Sequence, residues 1–265
     1  PRTILSFAAA FVLLIFSCAA SNAQNENKLG VRSYGTFLYT EKMPNALFFF
    51  GDIDRRAAVT KYELERINTR LFRFGVDTEF WMSSENSSVH DFSLLSVGSD
   101  RWRNYQLLLD AAGNTPLEII TSASISKRNK LGRVPSARVG SFHDPSLTDM
   151  ELREAYQKAS AIVVPLHDTT QPSGYSVTLQ AMACGKPVIL TNIEGLWDRE
   201  VFRDKENCLL VPPNDKNSLR NAIESVKNNR ELACRLGSNA RSAAVKYFGI
   251  GRMNADIWDI IESLA

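Results

Sequence analysis

The stretch Gln171–Leu190, QPSGYSVTLQAMACGKPVIL, holds the residue types with the clearest chemical use in this chain. It reads as a polar loop, then Gly174 opening a helix, then Gly185 closing it ahead of a strand. Backbone N–H groups at a helix N-terminus converge on one point and, with the helix dipole, favour an anion; a glycine there lets a phosphate come close to the chain. Ser176 adds a hydroxyl donor. Gln180 lies four residues further on, on the same face and one turn deeper, and its amide can both donate to and accept from a ribose diol. An ordinary polar-capped helix start has the same residues, so both readings stay open on the stretch alone. His167-Asp168 follows the apolar run AIVVPL (161–166) directly, where it can be an acid–base pair or a polar loop; His143 also stands near a strand end, and His90 lies in the linker.

The elements that must position these residues follow from hydrophobic period. Runs at 92–97 (FSLLSV), 117–121 (LEIIT), 161–166, 187–191 (PVILT) and 208–211 (CLLV) are continuously apolar, which predicts strands buried on both faces. Helical spacing recurs at 103–112, 176–184, at Leu219/Ala222/Ile223/Val226, at Leu232/Leu236/Ala240/Ala243 and at Met253/Ile257/Ile260/Leu264. Thr148 and Glu151 form a capping box that opens another helix carrying Leu152, Tyr156 and Ala159. Strands alternating with helices predict an α/β, doubly wound, Rossmann-like parallel sheet, with ligands beyond the carboxyl ends of its strands. That directs attention to loops 98–104, 122–126, 167–175 and 192–197. Ahead of this region, Ala57-Ala58-Val59 is expected as a strand, with Thr60 and Glu63 as a capping box opening a helix, and 71–77 as a further strand and turn. Residues 83–90 (SSENSSVH) read as a linker.

With 265 residues, 31 basic against 29 acidic groups and 44% hydrophobic residues, the chain has the balance of a globular protein, and its charge argues against nucleic acid as a partner. At ~150 residues per domain it holds one to two domains. The four cysteines, Cys18, Cys184, Cys208 and Cys234, have no metal-ligand spacing and read as reduced thiols. Residues 4–20 (ILSFAAAFVLLIFSCAA) carry no charge and fit a buried or membrane-facing helix, or a signal peptide or signal anchor.

Several segments resemble one family. Phe74–Trp81 (FGVDTEFW) is similar to a P-x-G-V-D-x-x-x-F crossover, Ser96–Tyr105 to the loop after a first strand, Ala181–Ile189 (AMACGKPVI) to a signature helix end, and Cys208–Asp215 (CLLVPPND) to a G-L-L-V-P-P-G-D segment. Glu194–Trp197 resembles a G-[LI]-P-E turn. Together they resemble the group 1 glycosyltransferases of the GT-B fold, in particular their C-terminal, nucleotide-sugar-binding domain. The resemblance implies a remnant of an acceptor domain with an apolar N-terminal helix over 1–82, a nucleotide-sugar-binding domain over 88–248 and a C-terminal crossover helix over 249–265, with Trp258 as packing.

The resemblance further implies that Gly98, Ser99, Arg103, Gly174, Tyr175, Ser176, Val177 and Gln180 hold the donor, and that Arg103, with Arg101 as second candidate, stabilises the leaving diphosphate. Trp102 between the arginines is a surface aromatic or a lid. No cofactor or metal is expected beyond the nucleotide-diphosphate sugar itself; there is no DxD-like motif at a sheet edge. The expected reaction is metal-independent, retaining transfer to a glycan or lipid-linked acceptor in cell-envelope polysaccharide assembly, in the cytoplasm with peripheral membrane contact. The chain departs from the family where two glutamates separated by seven residues are common: Pro172 and Gln180 stand there, with Thr169, Thr170 or Ser173 as possible substitutes. That departure, with the short first domain, supports an alternative: a non-catalytic or inactive nucleotide-sugar or saccharide binder, one that the apolar N-terminus would export.

Overall fold

The computed structural model describes residues 12–14, 46–65, 68–83, 91–122, 136–138 and 147–264. Two parallel sheets form. The first contains β1 (Val12–Leu14), β2 (Ala46–Phe49) and β3 (Asn68–Leu71) in the order β1-β2-β3, with α1 (Asp52–Tyr62) crossing from β2 to β3. The second contains β4 (Leu94–Val97), β5 (Leu117–Ile120), β6 (Ser136–Arg138), β7 (Ala161–Val164), β8 (Val188–Thr191) and β9 (Leu209–Val211). Its order, β6-β5-β4-β7-β8-β9, is that of a doubly wound sheet whose direction of growth reverses between β4 and β7. Its helices are α2 (Tyr105–Ala112), α3 (Asp149–Lys158), α4 (Tyr175–Ala183), α5 (Lys216–Asn228) and α6 (Arg230–Phe248), and α7 (Ile250–Leu264) follows.

The continuous apolar runs are explained by this layering. Leu95, Val97, Ile162, Val164, Val188 and Leu190 point to one face, where α3, α4 and α6 cover them. Leu94, Ala161, Val163 and Ile189 point to the other, under α2 and α5. Adjacent residues point to opposite faces, so a strand buried on both sides needs apolar residues at every position. The one polar residue within β4, Ser96, is buried but donates to Val163 O at 2.7 Å. Caps set the helix starts: Thr148 and Glu151 form the expected box on α3, and Asn104, Asp215 and Asn229 cap α2, α5 and α6.

The first unit differs from its sequence reading. Residues 57–59 are helical: α1 starts at Asp52, with Asp52 and Asp54 in its favoured acidic first turn, and stops where Glu63 turns left-handed. The strand is β3, at 68–71. Within 4–20, expected as a helix, the described residues Val12–Leu14 instead pair with β2 in parallel register, Val12 opposite Ala46. Among the described residues no helix is long and apolar enough to cross a membrane. The 84–90 part of the expected linker, Cys18, His90, His143 and residues 123–126 lie outside the described residues.

The segment after β3 runs onto the second sheet. Asp77 Oδ1 accepts from Glu79 N and Phe80 N, and Arg241 Nη1 donates to Thr78 O, Trp81 O and Ala183 O, fastening this segment to the end of α4. The chain returns at α7: Val76 N donates to Phe248 O and Ile250 N to Val76 O. Met253, Ile257 and Ile260 pack on the core, whereas Trp258, expected as packing, is 57% exposed because it lies on the outer face of α7. Cys184 and Cys208 are free and buried, and burial pushes both thiols up to about 12; Cys234 is free and exposed.

A close backbone approach joins α6 to the loop after α4. A Cβ built on Gly237 would lie 2.3 Å from Gly185 O. Gly237→Ala is therefore expected to lower stability by about 1–3 kcal/mol through overpacking. Gly251→Ala, with nothing within 4 Å of the added methyl, is expected to be neutral or to gain up to about 1 kcal/mol from helix propensity. Urea unfolding midpoints of the two variants check the contrast.

Candidate functional site

The loops after β4 and β7 leave the sheet where its direction reverses, and they are bound to each other. Asn104 N donates to Pro165 O at 3.0 Å and His167 N to Trp102 O at 2.8 Å. Asp100 ties them further: its Oδ1 accepts from Trp102 N at 3.0 Å and from Ser173 Oγ at 2.8 Å. Trp102 Nε1 donates to Gln171 Oε1 at 3.0 Å, so the indole spans the two loops. The loop after β8 joins them through Gly195 N, which donates to Thr169 O at 2.7 Å, and Glu194 N, which donates to Asp168 Oδ1 at 2.9 Å. Asp168 thus fastens loops, while the neighbouring His167 is exposed.

At the centre stands Arg103, its side chain only 3% exposed. A Cβ on Gly98 would fall within 2.3 Å of its Nε and Nη2, and a Cβ on Gly174 would fall 3.3 Å from its Nη1. Both glycines have positive φ, 139° and 78°, so only glycine satisfies backbone and space together. Asp100 Oδ2 lies 2.9 Å from Nε, off the N–H axis, so it supplies opposite charge without a hydrogen bond. Nη1 is buried with no hydrogen-bond partner among the described residues. Beside it α4 begins at Gly174 with no side-chain cap, and its first intrahelical bond is Thr178 N to Gly174 O. The N–H groups of Tyr175, Ser176 and Val177 precede that ladder. A guanidinium beside a positive helix end is unfavourable on its own and favours an anion between them.

Gly98, Arg103 and Gly174 are thus brought into contact, with Tyr175 and Ser176 at the mouth of α4 and Val177 turned into the core. Ser99 is exposed and its Oγ accepts from Ser122 N. Gln180 Oε1 accepts from Tyr156 Oη at 3.2 Å, and Tyr156 is wholly buried, its phenol pushed up by burial. Arg101 is exposed and stacks over Trp102 at 4.7 Å. Thr169 and Ser173 serve the loops: Thr169 Oγ1 accepts from Gln171 N, and Ser173 donates to Asp100. Pro172 is buried.

Two polar residues absent from the sequence reading also line the junction between the sheets. Asp54, in the first turn of α1, is 5% exposed; its Oδ1 has no partner among the described residues, and burial pushes its carboxyl up to about 7. Asp198 is buried and paired with Arg73 at 2.5 Å, linking the units. The only sequence signal for Asp54 was the acidic helix start GDID; nothing in it marks burial.

Comparison with known proteins bears on this arrangement. Residues 143–243 match the family model "Glycosyl transferases group 1". An uncharacterized glycosyltransferase of Methanocaldococcus jannaschii, MJ1178, is 31% identical over 146 residues, 54% of this chain and 36% of that protein. The O-antigen chain mannosyltransferase C of Escherichia coli is 26% identical over 169 residues, 63% of this chain and 45% of that protein. The chain therefore spans less than half the length of these relatives. Among solved structures, Anabaena Alr3699/HepE in complex with UDP-glucose superposes with a TM-score of 0.65 at 15% identity, covering 84% of this chain and 65% of that one; the likeness is one of fold.

Two outcomes follow from the geometry. In calorimetric titration with inorganic pyrophosphate, Arg103→Ala is expected to weaken binding by at least about tenfold, the loss of a charged hydrogen bond, and Arg101→Ala by less than about threefold. Asp54 also makes stability depend on pH. Its folded value of about 7 lies above its ordinary 3.8. Its contribution is therefore fully present below about pH 4 and is lost as pH rises to about 7, bounded at roughly 4 kcal/mol. Urea unfolding of Asp54→Asn across that range is expected to remove this part of the slope.

Proposed function

We propose that this chain, whose residues 143–243 match the group 1 glycosyl transferases, binds a nucleotide-diphosphate sugar and transfers the sugar to a hydroxyl of a glycan or lipid-linked acceptor. The observation that carries this reading is the buried Arg103 guanidinium, its Nη1 unpaired, beside the uncapped start of α4 at Gly174. A donor diphosphate held there has its charge met by the guanidinium and by the N–H groups of Tyr175, Ser176 and Val177. As the bond between sugar C1 and the phosphate oxygen breaks, negative charge grows on that oxygen, and donors already aimed at it stabilise the transition state without reorganising. The acceptor oxygen bonds to C1, and its proton passes to the departing phosphate. That route retains anomeric configuration and involves no metal. The reading includes a role in cell-envelope polysaccharide assembly, in the cytoplasm with peripheral membrane contact; the mannosyltransferase among the relatives supports the envelope setting.

The second reading, a binder without turnover, is favoured by one observation. At the two positions where carboxylates are common in the family stand a buried proline and a glutamine whose carbonyl is occupied by Tyr156. Calorimetry with UDP, GDP and ADP, followed by transfer assays with the matching sugar nucleotides and mixed glycan acceptors, separates the cases. Binding of one nucleotide, weakened at least about tenfold in Arg103→Ala, together with sugar transfer, is the expected result. Binding without turnover supports the second reading, and no nucleotide binding at all sinks the first.

A further inference from the structure

One carboxylate touches both the buried guanidinium and the segment that leads into α4. Asp100 Oδ2 lies 2.9 Å from Arg103 Nε, and Asp100 Oδ1 accepts from Ser173 Oγ at 2.8 Å. Ser173 is buried and immediately precedes Gly174, where α4 begins. The same Oδ1 accepts from Trp102 N, and Arg103 N donates to Asp100 O at 3.2 Å. The turn of residues 100–103 thus holds the carboxylate beside the guanidinium three residues on.

The main chain does not supply this link. Asn104 N to Pro165 O and His167 N to Trp102 O lay the two loops side by side, but neither bond acts on the arginine side chain. That side chain has many rotamers, and fixing one of them costs entropy. A guanidinium already paired to a fixed carboxylate has met that cost before an anion arrives. A hydroxyl donating to a carboxylate is a strong, charge-assisted bond, so Ser173 is a firm second anchor. Charge alone works the other way. Asp100 is an anion beside a candidate site for an anion, and by Coulomb repulsion its removal would tighten binding of a diphosphate. If Asp100 serves that ligand, it does so through position.

We propose that Asp100 is a positioning residue for diphosphate binding: it holds the Arg103 guanidinium in one place and, through Ser173, ties that place to the start of α4. Asp100 acts through Arg103 and Ser173 and does not touch the ligand. The ligand class rests on the glycosyl-transfer reading.

The test titrates inorganic pyrophosphate into the whole chain by calorimetry and follows the Arg103 Nε–H resonance in 15N spectra, assigned by its loss in Arg103→Ala. Asp100→Asn is expected to weaken pyrophosphate about two- to tenfold, the cost of ordering one long side chain on binding, although it removes a negative charge. Ser173→Ala, which changes no charge, is expected to weaken it by at least about twofold. In the Arg103→Ala background Asp100→Asn is expected to weaken binding no further, because its effect passes through the guanidinium. Both single variants should shift the Nε–H resonance in the absence of ligand. Unchanged or tighter binding in either variant overturns the proposal, and so does a weakening by Asp100→Asn that persists undiminished without Arg103. Should Asp100→Asn fail to fold for want of a counter-charge, Ser173→Ala carries the test. If pyrophosphate does not bind the unaltered chain, the glycosyl-transfer reading fails. The resonance then decides by itself, and a signal unmoved by Asp100→Asn and Ser173→Ala overturns the positioning role.

Discussion

A positive charge buried between two glycines is the constraint around which this molecule is arranged. Arg103 has almost no solvent; its guanidinium occupies the space where Gly98 would otherwise carry a side chain and, behind Val164 Cγ1, closes the space at Gly174. A charge in such a place is tolerable only with compensation. Asp100 supplies part of it at 2.9 Å, and Asp100 is itself held by Trp102 N and Ser173 Oγ. The loop after β4, the loop after β7 and the start of α4 are thereby one electrostatic unit. They meet because parallel strands all end at the same edge, and because the sheet reverses its winding between β4 and β7.

The first unit is coupled to that centre through aromatic packing. Phe50 and Phe74 lie 4.9 and 5.0 Å from Tyr175, the residue that opens α4; Tyr175 lies 6.3 Å from Trp197, and the row continues through Phe202 to Phe248. The ion pair of Arg73 with Asp198 and the backbone bonds of Val76 with Phe248 and Ile250 span the same boundary. Such rings add modest directional energy to a large area term. The structural consequence is that the uncapped start of α4 is positioned from both sides, by its own sheet and by the first one.

The second sheet was legible because its signals are local and redundant. A strand buried on both faces needs an unbroken apolar run, as AIVV and VILT show, and the Thr148–Glu151 capping box states its own geometry within four residues. The first unit was less legible for the opposite reason. Ala57-Ala58-Val59 is too short for its period to be read, and α1 is decided upstream, at Asp52 and Asp54. Val12–Leu14 is a strand because β2 lies beside it, a partner more than thirty residues away in sequence. Trp258 is exposed because of the rotation of α7 about its axis, which places Ile257 and Ile260 inward.

The alternation of strands and helices, hence the sheet, the edge at which its parallel strands end and the loops in which Gly98, Arg103 and Gly174 stand, is legible in the sequence alone. Those properties depend on neighbours within a few residues, where period, capping and turn chemistry act. Only the tertiary structure decided that Arg103 is enclosed while Arg101, two residues away, lies on the surface against Trp102. It also decided that Gln180 turns its carbonyl to Tyr156, and that Asp54 is buried at the start of α1. The reason is desolvation. Whether a polar atom keeps its water depends on every element packed around it, and those elements come from distant parts of the chain.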